Sequence, residues 1–158
     1  MARVMFDSTT PHAIPTNAEI VAGYVDGAFR WKKSDWERFP HAKQVRITVT
    51  ADHSRGNCLD VERGDATPSQ APGWIRARHA AGVKYVTIYC NRSNLAAVDR
   101  ACQGLSYYRW VATLDGTLHI PGFTPLHTPA AVQFANSTMA GAHVDVSIVW
   151  EDNWHPSG

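Results

Sequence analysis

Asp60 and Glu62 stand two residues apart in the run NCLDVERGD, directly behind an apolar pair. In extended backbone alternate side chains leave on one face, so the two carboxylates can meet one ligand while Val61 turns away. Two close negative charges resist joint ionisation, which raises the pKa of one of them. A half-buried carboxyl kept protonated near neutral pH is what a general acid requires, and its ionised neighbour can stabilise positive charge. Glycoside hydrolysis divides labour between two carboxyls in this way. Further acids stand in comparable places: Asp7 closes RVMF, Asp26 follows GYV, and Asp52 follows QVRITVT. Each of the first four apolar runs is thus followed by an acid. Taken singly, Asp7, Asp26 and Asp52 are read first as caps or loop ligands, and Asp65 in GDATP reads as a turn residue.

The elements that must position these acids are short apolar runs separated by polar loops and helical stretches. Strands are expected at Arg3 to Phe6, Val21 to Val25, Gln44 to Thr50, Cys58 to Val61, Val83 to Cys90, Tyr107 to Thr113, Thr117 to Ile120, Val132 to Ala135 and Val144 to Trp150. QVRITVT carries the period-two alternation most plainly. Helices are expected at Lys33 to Arg38, with Ser34 as N-cap, at Gly73 to Ala81, stopped by Gly82, and at Asn94 to Cys102. Strands alternating with helices imply parallel pairing through crossovers, hence an α/β fold. Some eight strands suit a closed barrel. At 158 residues, against about 250 for a full (β/α)8 chain, it must be compact, with shortened or missing helices. In such a barrel the loops at the C-terminal strand ends build the site, which is where these acids fall. The open doubly wound alternative lacks support, because neither GxGxxG nor GxxxxGK[ST] occurs. Residues 1–158 are expected to form a single domain.

Composition narrows the function classes. Fifteen basic and fourteen acidic residues leave a net charge of +1, and the basic residues are scattered, so neither nucleic acid nor an acidic membrane is an expected partner. Six Trp and five Tyr suit an aromatic surface of the kind that stacks on sugars. Cys58, Cys90 and Cys102 have no metal-like spacing and read as free, buried thiols. Eight His residues, His127 and His155 among them, show no HxH or HxxxH pair, and His53 beside Asp52 alone invites a test for metal. No GxSxG occurs, and Cys90 lacks an evident His partner. MARVMFDSTT has no signal-peptide h-region and no run is long enough to span a membrane. Cytoplasmic synthesis is expected, with later release to the cell wall by another route left open.

The ordered motifs resemble a short, divergent member of the glycoside hydrolase family 25 lysozymes, the muramidases of phage lysins and bacterial wall enzymes. MFDST resembles that family's first strand with its early Asp, LDVE its DxE motif, and VTIYCN its next strand. WVA, VQFAN and VDVS resemble its late W-A, WQY and VDxN pattern. The resemblance implies a four-acid site of Asp7, Asp60, Glu62 and Asp145, with Glu62 as proton donor to the glycosidic oxygen. The other three would orient the substrate, hold its N-acetyl group or stabilise the transition state. It implies peptidoglycan or a related glycan as partner, cleaved after N-acetylmuramic acid, and neither metal nor organic cofactor. Tyr24, Asp26, Tyr89, Trp110 and Gln133 lie on or near strand ends and are the candidates for sugar contact, with core packing the default reading for the aromatic residues and Gln133. GYVDG with Trp31 beyond it, and VQF in place of WQY, depart from the family pattern. Asp145 poses a placement question: if VSIVW is the last barrel strand, the acid begins it and falls at the wrong end, whereas if VQFAN is last, Asp145 returns by a loop. The competing function is a non-catalytic carbohydrate-binding or structural barrel derived from such an enzyme.

Overall fold

Eight strands close into a barrel in sequence order, in a computed structural model that describes residues 2–120, 129–151 and 154. They are β1 (Arg3–Asp7), β2 (Ile20–Tyr24), β3 (Lys43–Thr48), β4 (Cys58–Asp60), β5 (Thr87–Asn91), β6 (Tyr108–Ala112), β7 (Ala131–Met139) and β8 (Ala142–Val149). Neighbours from β1 to β7 pair in parallel, and β8 runs antiparallel to both β7 and β1, closing the circle. Among the described residues α-helices follow only β2, β4 and β5: α1 (Lys33–Glu37), α2 (Ala71–Ala80) and α3 (Leu95–Ala101). The fold is therefore the α/β, TIM-like barrel with few and short helices. None of these helices is long and apolar enough to cross a membrane.

The strand period divides the core in two. Met5, Ile20, Ala22, Val45, Ile47, Tyr89 and Trp110 point inward and fill the barrel. Leu59, Val61, Ile88, Cys90 and Val111 point outward and are covered by Trp74 and Ile75 of α2 and Leu95 and Val98 of α3. A third cluster packs Trp31, Trp36 and Phe39 against Val21 and Val144. Here the Gly in GYVDG has a steric cause: a Cβ on Gly23 would lie 2.4 Å from the Trp31 indole. That indole in turn donates to the Ser8 carbonyl at 3.0 Å. All three cysteines are free and buried. Burial pushes the Cys90 thiol up to about 12 and the Cys102 thiol up to about 11.

Four expectations need correction. Thr117 to Ile120 forms no strand; the chain after β6 instead hugs β7, with Thr113 N and Leu114 N donating to Gln133 O and Gly116 N to Phe134 O. Of Val83 to Cys90, only the part from Thr87 onward is strand. Helix α1 starts at Lys33 rather than behind a Ser34 cap, and Asp35 Oδ2 accepts from Lys32 N at 2.7 Å. The last two apolar runs are not parallel strands but one hairpin, turning at Ala140 and Gly141 with φ of 46° and 78°. Positive φ at both central residues matches the turn whose twist suits paired strands.

Candidate active site

β1 delivers Asp7 at its C-terminal end, and β4 delivers Asp60 at the same end of the barrel. Past Asp60 the ladder persists for one more residue, since Val61 N donates to Tyr89 O at 2.8 Å. Val61 thus stays in the outer core while Asp60 and Glu62 reach the mouth. Asp145 arrives from β8, where it stands opposite Asp7 in the antiparallel register. VDVSIVW is the last strand and Asp145 lies in it near its start, but reversal of that strand puts its beginning where β1 finishes. A register shift between Gln133 and Ala135 of β7 sets Gln133 opposite Ser147 and Asn136 opposite Asp145, so the bulge keeps both facing the barrel end.

The acids are crowded and poorly neutralised. Burial first, and then Asp145, push Asp7 up to about 7, against a hydrogen bond from Gln133 that pulls the other way. Burial, followed by Glu62, Asp65 and Asp7, pushes Asp60 up to about 8. Glu62 is raised by burial, then by Asp65 and Asp145. Burial also raises Asp145, with His143 opposing through its charge and a 2.7 Å contact from Nε2 to Asp145 Oδ1. Among the described residues no Lys or Arg pairs with Asp7, Asp60 or Glu62. One buried oxygen, Asp60 Oδ1, has no hydrogen-bond partner.

Beside this cluster opens a cavity of about 300 Å³ lined by Asp60, Glu62, Tyr24, Asp26 and residues of the loops around them. Asp7 and Asp145 do not line it; they stand on the adjoining strand pair and act on Glu62 and Asp60 through their charge. Tyr24 lines the cavity and bonds Asp60. Asp26 also lines it, yet its carboxylate is already held by Thr48 Oγ1 at 2.6 Å, Val49 N at 2.9 Å and Thr50 Oγ1 at 3.3 Å. It clamps the end of β3. Gln133 and Tyr89 are turned inward: Gln133 Nε2 donates to both oxygens of Asp7, at 2.9 and 3.0 Å, and Tyr89 OH donates to Gln133 Oε1 at 2.8 Å. Trp110 is buried inside the barrel, its ring 4.5 Å from that of Tyr89 and its N–H given to Ser147 Oγ at 3.0 Å. It supports Tyr89 and presents no open face to a sugar. Asp52 stays out of the cluster, exposed in a loop where Ser54 holds its carboxyl below the usual range.

Two cavity residues escape the sequence reading. Asp65 does occupy a turn, its N–H donating to Glu62 O at 3.0 Å, but that same turn folds its carboxylate back toward Asp60 and Glu62. Phe29, 57% exposed, forms an apolar wall. The DGAFRW stretch carries an aromatic beside Asp26, which is the one signal that could have found it. His143, two residues before Asp145, is the third addition; the same strand period that places Asp145 places it.

Chemically, the mouth offers carboxyls of mixed protonation in a partly desolvated setting, suited to proton donation and to stabilising a cationic centre. Oxygens of Asp60, Glu62 and Asp65 all lie within 4.8 Å of one another, a spacing that a hard cation such as Ca²⁺ would accept. His53, the histidine singled out for a metal, lies apart from this set beside Gly73 of α2; His127 and His155 fall outside the described residues.

No protein-family profile matches this sequence, and no curated protein does. Two solved structures share the architecture. The Tat-secreted protein Rv2525c of Mycobacterium tuberculosis, crystallised with HEPES, aligns with a TM-score of 0.56 at 15% identity over 99% of both chains. A family GH25 lysozyme from Aspergillus fumigatus aligns with a TM-score of 0.54 at 13% identity, over 95% of this chain and 94% of that one. At these identities the likeness establishes a GH25-like barrel fold.

Proposed function

We propose that this chain is a glycosidase acting on peptidoglycan or a related glycan, a lysozyme-like muramidase in which Glu62 donates the proton to the leaving oxygen. The observation that carries the reading is the crowding of carboxyls at the mouth, where oxygens of Asp60, Glu62 and Asp65 lie within 4.8 Å of one another. Burial, Asp65 and Asp145 raise Glu62 toward its acid form, against a hydrogen bond with Tyr89 that pulls the other way. Asp60, which lines the cavity, would accept the N–H of a substrate acetamido group. Asp7 and Asp145 add negative potential where an oxocarbenium-like centre would develop. No cofactor enters this scheme.

Glu62→Gln keeps the shape and removes the transferable proton. Release of reducing ends from purified cell walls is expected to fall by about 10²–10⁴-fold, the usual worth of a positioned general acid, with circular dichroism unchanged. An undiminished rate removes Glu62 from the mechanism. A second reading, a glycan-binding barrel without turnover, draws on Asp7 and Asp145 standing outside the cavity that Asp60 and Glu62 line, so that the four acids do not all face one bound sugar. Wall binding with no reducing ends from the unaltered protein would select it.

A further inference from the structure

A second and larger cavity, about 570 Å³, lies on the outer wall of the barrel between α1 and the outward face of β3. Trp36 forms its floor, and the Arg46 guanidinium lies over that ring, 5.0 Å from its centroid. Arg30 and Lys33 complete a set of three cations. The one acid among the lining residues, Glu37, is already engaged by Lys33 at 3.5 Å. Arg46 bonds only Gln44 Oε1, at 3.1 Å, and among the described residues neither Arg30 nor Arg46 has a carboxylate partner. In a chain of net charge +1 this is a local concentration of uncompensated positive charge beside an aromatic plate.

The groove and the acidic mouth share one wall. Tyr24, Asp26, Ala28 and Phe29 line the mouth cavity, whereas Val25, Arg30 and Trp31, from the same stretch, line the groove. Trp31 N bonds back to Tyr24 O at 2.9 Å, and Arg30 bridges to Tyr24, so the loop is pinned at its base. One thickness of chain separates the two. A polymer carrying carboxylates would meet only further acids in the mouth, and cations on the other side of Phe29.

We propose that this groove binds the carboxylate-bearing peptide arm of a glycan whose sugar backbone sits in the mouth. The assignment deepens the glycosidase reading and rests on it for the sugar, but the groove's own chemistry is for a peptide carboxylate held by Arg30 and by Arg46, whose guanidinium is seated on Trp36. It makes the groove a determinant of specificity, since an unsubstituted neutral glycan gains nothing from it.

Calorimetric titration with four probes separates the possibilities: a short peptide bearing free side-chain and C-terminal carboxylates, its fully amidated form, a neutral N-acetylglucosamine oligomer, and inorganic phosphate at matched ionic strength. The acidic peptide is expected to bind, amidation to weaken it at least tenfold, and the Arg30→Gln/Arg46→Gln pair to weaken it at least tenfold while sparing the neutral oligomer. Arg30→Gln alone, which leaves the Arg46 and Trp36 stack intact, should give a several-fold loss with an unchanged melting temperature. Equal binding of the amidated peptide, unaltered binding by the double variant, or phosphate competing as well as the peptide overturns the proposal. If the peptide behaves as expected while the oligomer fails to bind, the groove stands and the glycosidase reading falls.

Discussion

The two ends of the barrel are built from the same strands and solve opposite problems. At the floor, Trp154 closes the interior completely, its N–H donating to Thr87 Oγ1 at 3.0 Å, and Tyr85 packs on Tyr108. Arg3 is held there by the Glu151 and Trp154 carbonyls at 2.9 and 3.1 Å. The Arg3 guanidinium and the Trp154 N–H are both matched there, and the packing is aromatic. At the mouth, four acids and Asp65 crowd together; among the described residues His143 is the basic side chain paired with one of them, Asp145, and Asp60 keeps an oxygen without a partner. The floor stabilises, and the mouth stores electrostatic strain. That asymmetry is what a barrel with its chemistry at the C-terminal strand ends requires.

The comparison breaks most visibly at the floor. Trp154→Ala should destabilise by about 3–5 kcal/mol, the range for deleting a fully buried Trp, read from urea unfolding. A loss below about 1 kcal/mol would mean that the floor is not sealed by this residue. At the mouth the sign reverses. The Asp60 carboxyl sits near 8 against an ordinary 3.8, so native and unfolded states are both protonated below pH 3.8 and the fold suffers no penalty there. Between pH 4 and 8 the unfolded chain ionises first, and stability declines as pH rises. Asp60→Asn removes that decline, giving a gain on the order of several kcal/mol at pH 8 and none at pH 3. A variant less stable than the parent at pH 8 would show that Asp60 holds the fold rather than straining it.

This contrast was only half legible in the primary structure. Strands β1, β3 and β5 show in their apolar runs, and the acids behind β1 and β4 show with them, because strand period and turn chemistry are local. The direction of β8 is not local. Its hairpin turns on Ala140-Gly141, which lacks the Asn-Gly or Asp-Gly signature, so the reversal that brings Asp145 beside Asp7 left no mark that reasoning by residue type could find. Asp65 shows the opposite failure: the turn was read correctly, and its tertiary consequence was not. Trp110 and Gln133 stand where strand-end residues are expected to meet substrate, yet their partners Ser147 and Asp7 lie 37 and 126 residues away in the chain and draw them inward.

The relay at the mouth gives a smaller effect that sharpens the distinction. Tyr89→Phe leaves Gln133 Oε1 buried with no donor, and an unsatisfied buried acceptor should lower stability by about 1 kcal/mol. Because the phenol no longer lowers Glu62, the alkaline limb of the activity profile, set by ionisation of the proton donor, should move to higher pH, which a purely structural loss would not produce. An unchanged profile would dissociate the relay from the acid.

The smallest effect tests whether any part of the mouth is neutralised on purpose. His143 is mostly exposed and its contact with Asp145 is a surface pair, so His143→Ala should change stability at pH 6 by only a few tenths of a kcal/mol. The direction is informative. Burial raises Asp145 and His143 lowers it, so removing His143 must move the Asp145 titration upward, which carbon-detected NMR of that carboxyl would register. A carboxyl whose folded-state value is raised weakens the fold as pH climbs from its ordinary value toward the raised one, and His143 limits the loss. The variant should therefore match the parent at pH 3, where Asp145 is protonated in both states, and fall slightly behind it at pH 6. An Asp145 titration that stays in place would mean that the strand pairing with Asp7, not the imidazole, sets its charge, and the mouth would then be strained throughout.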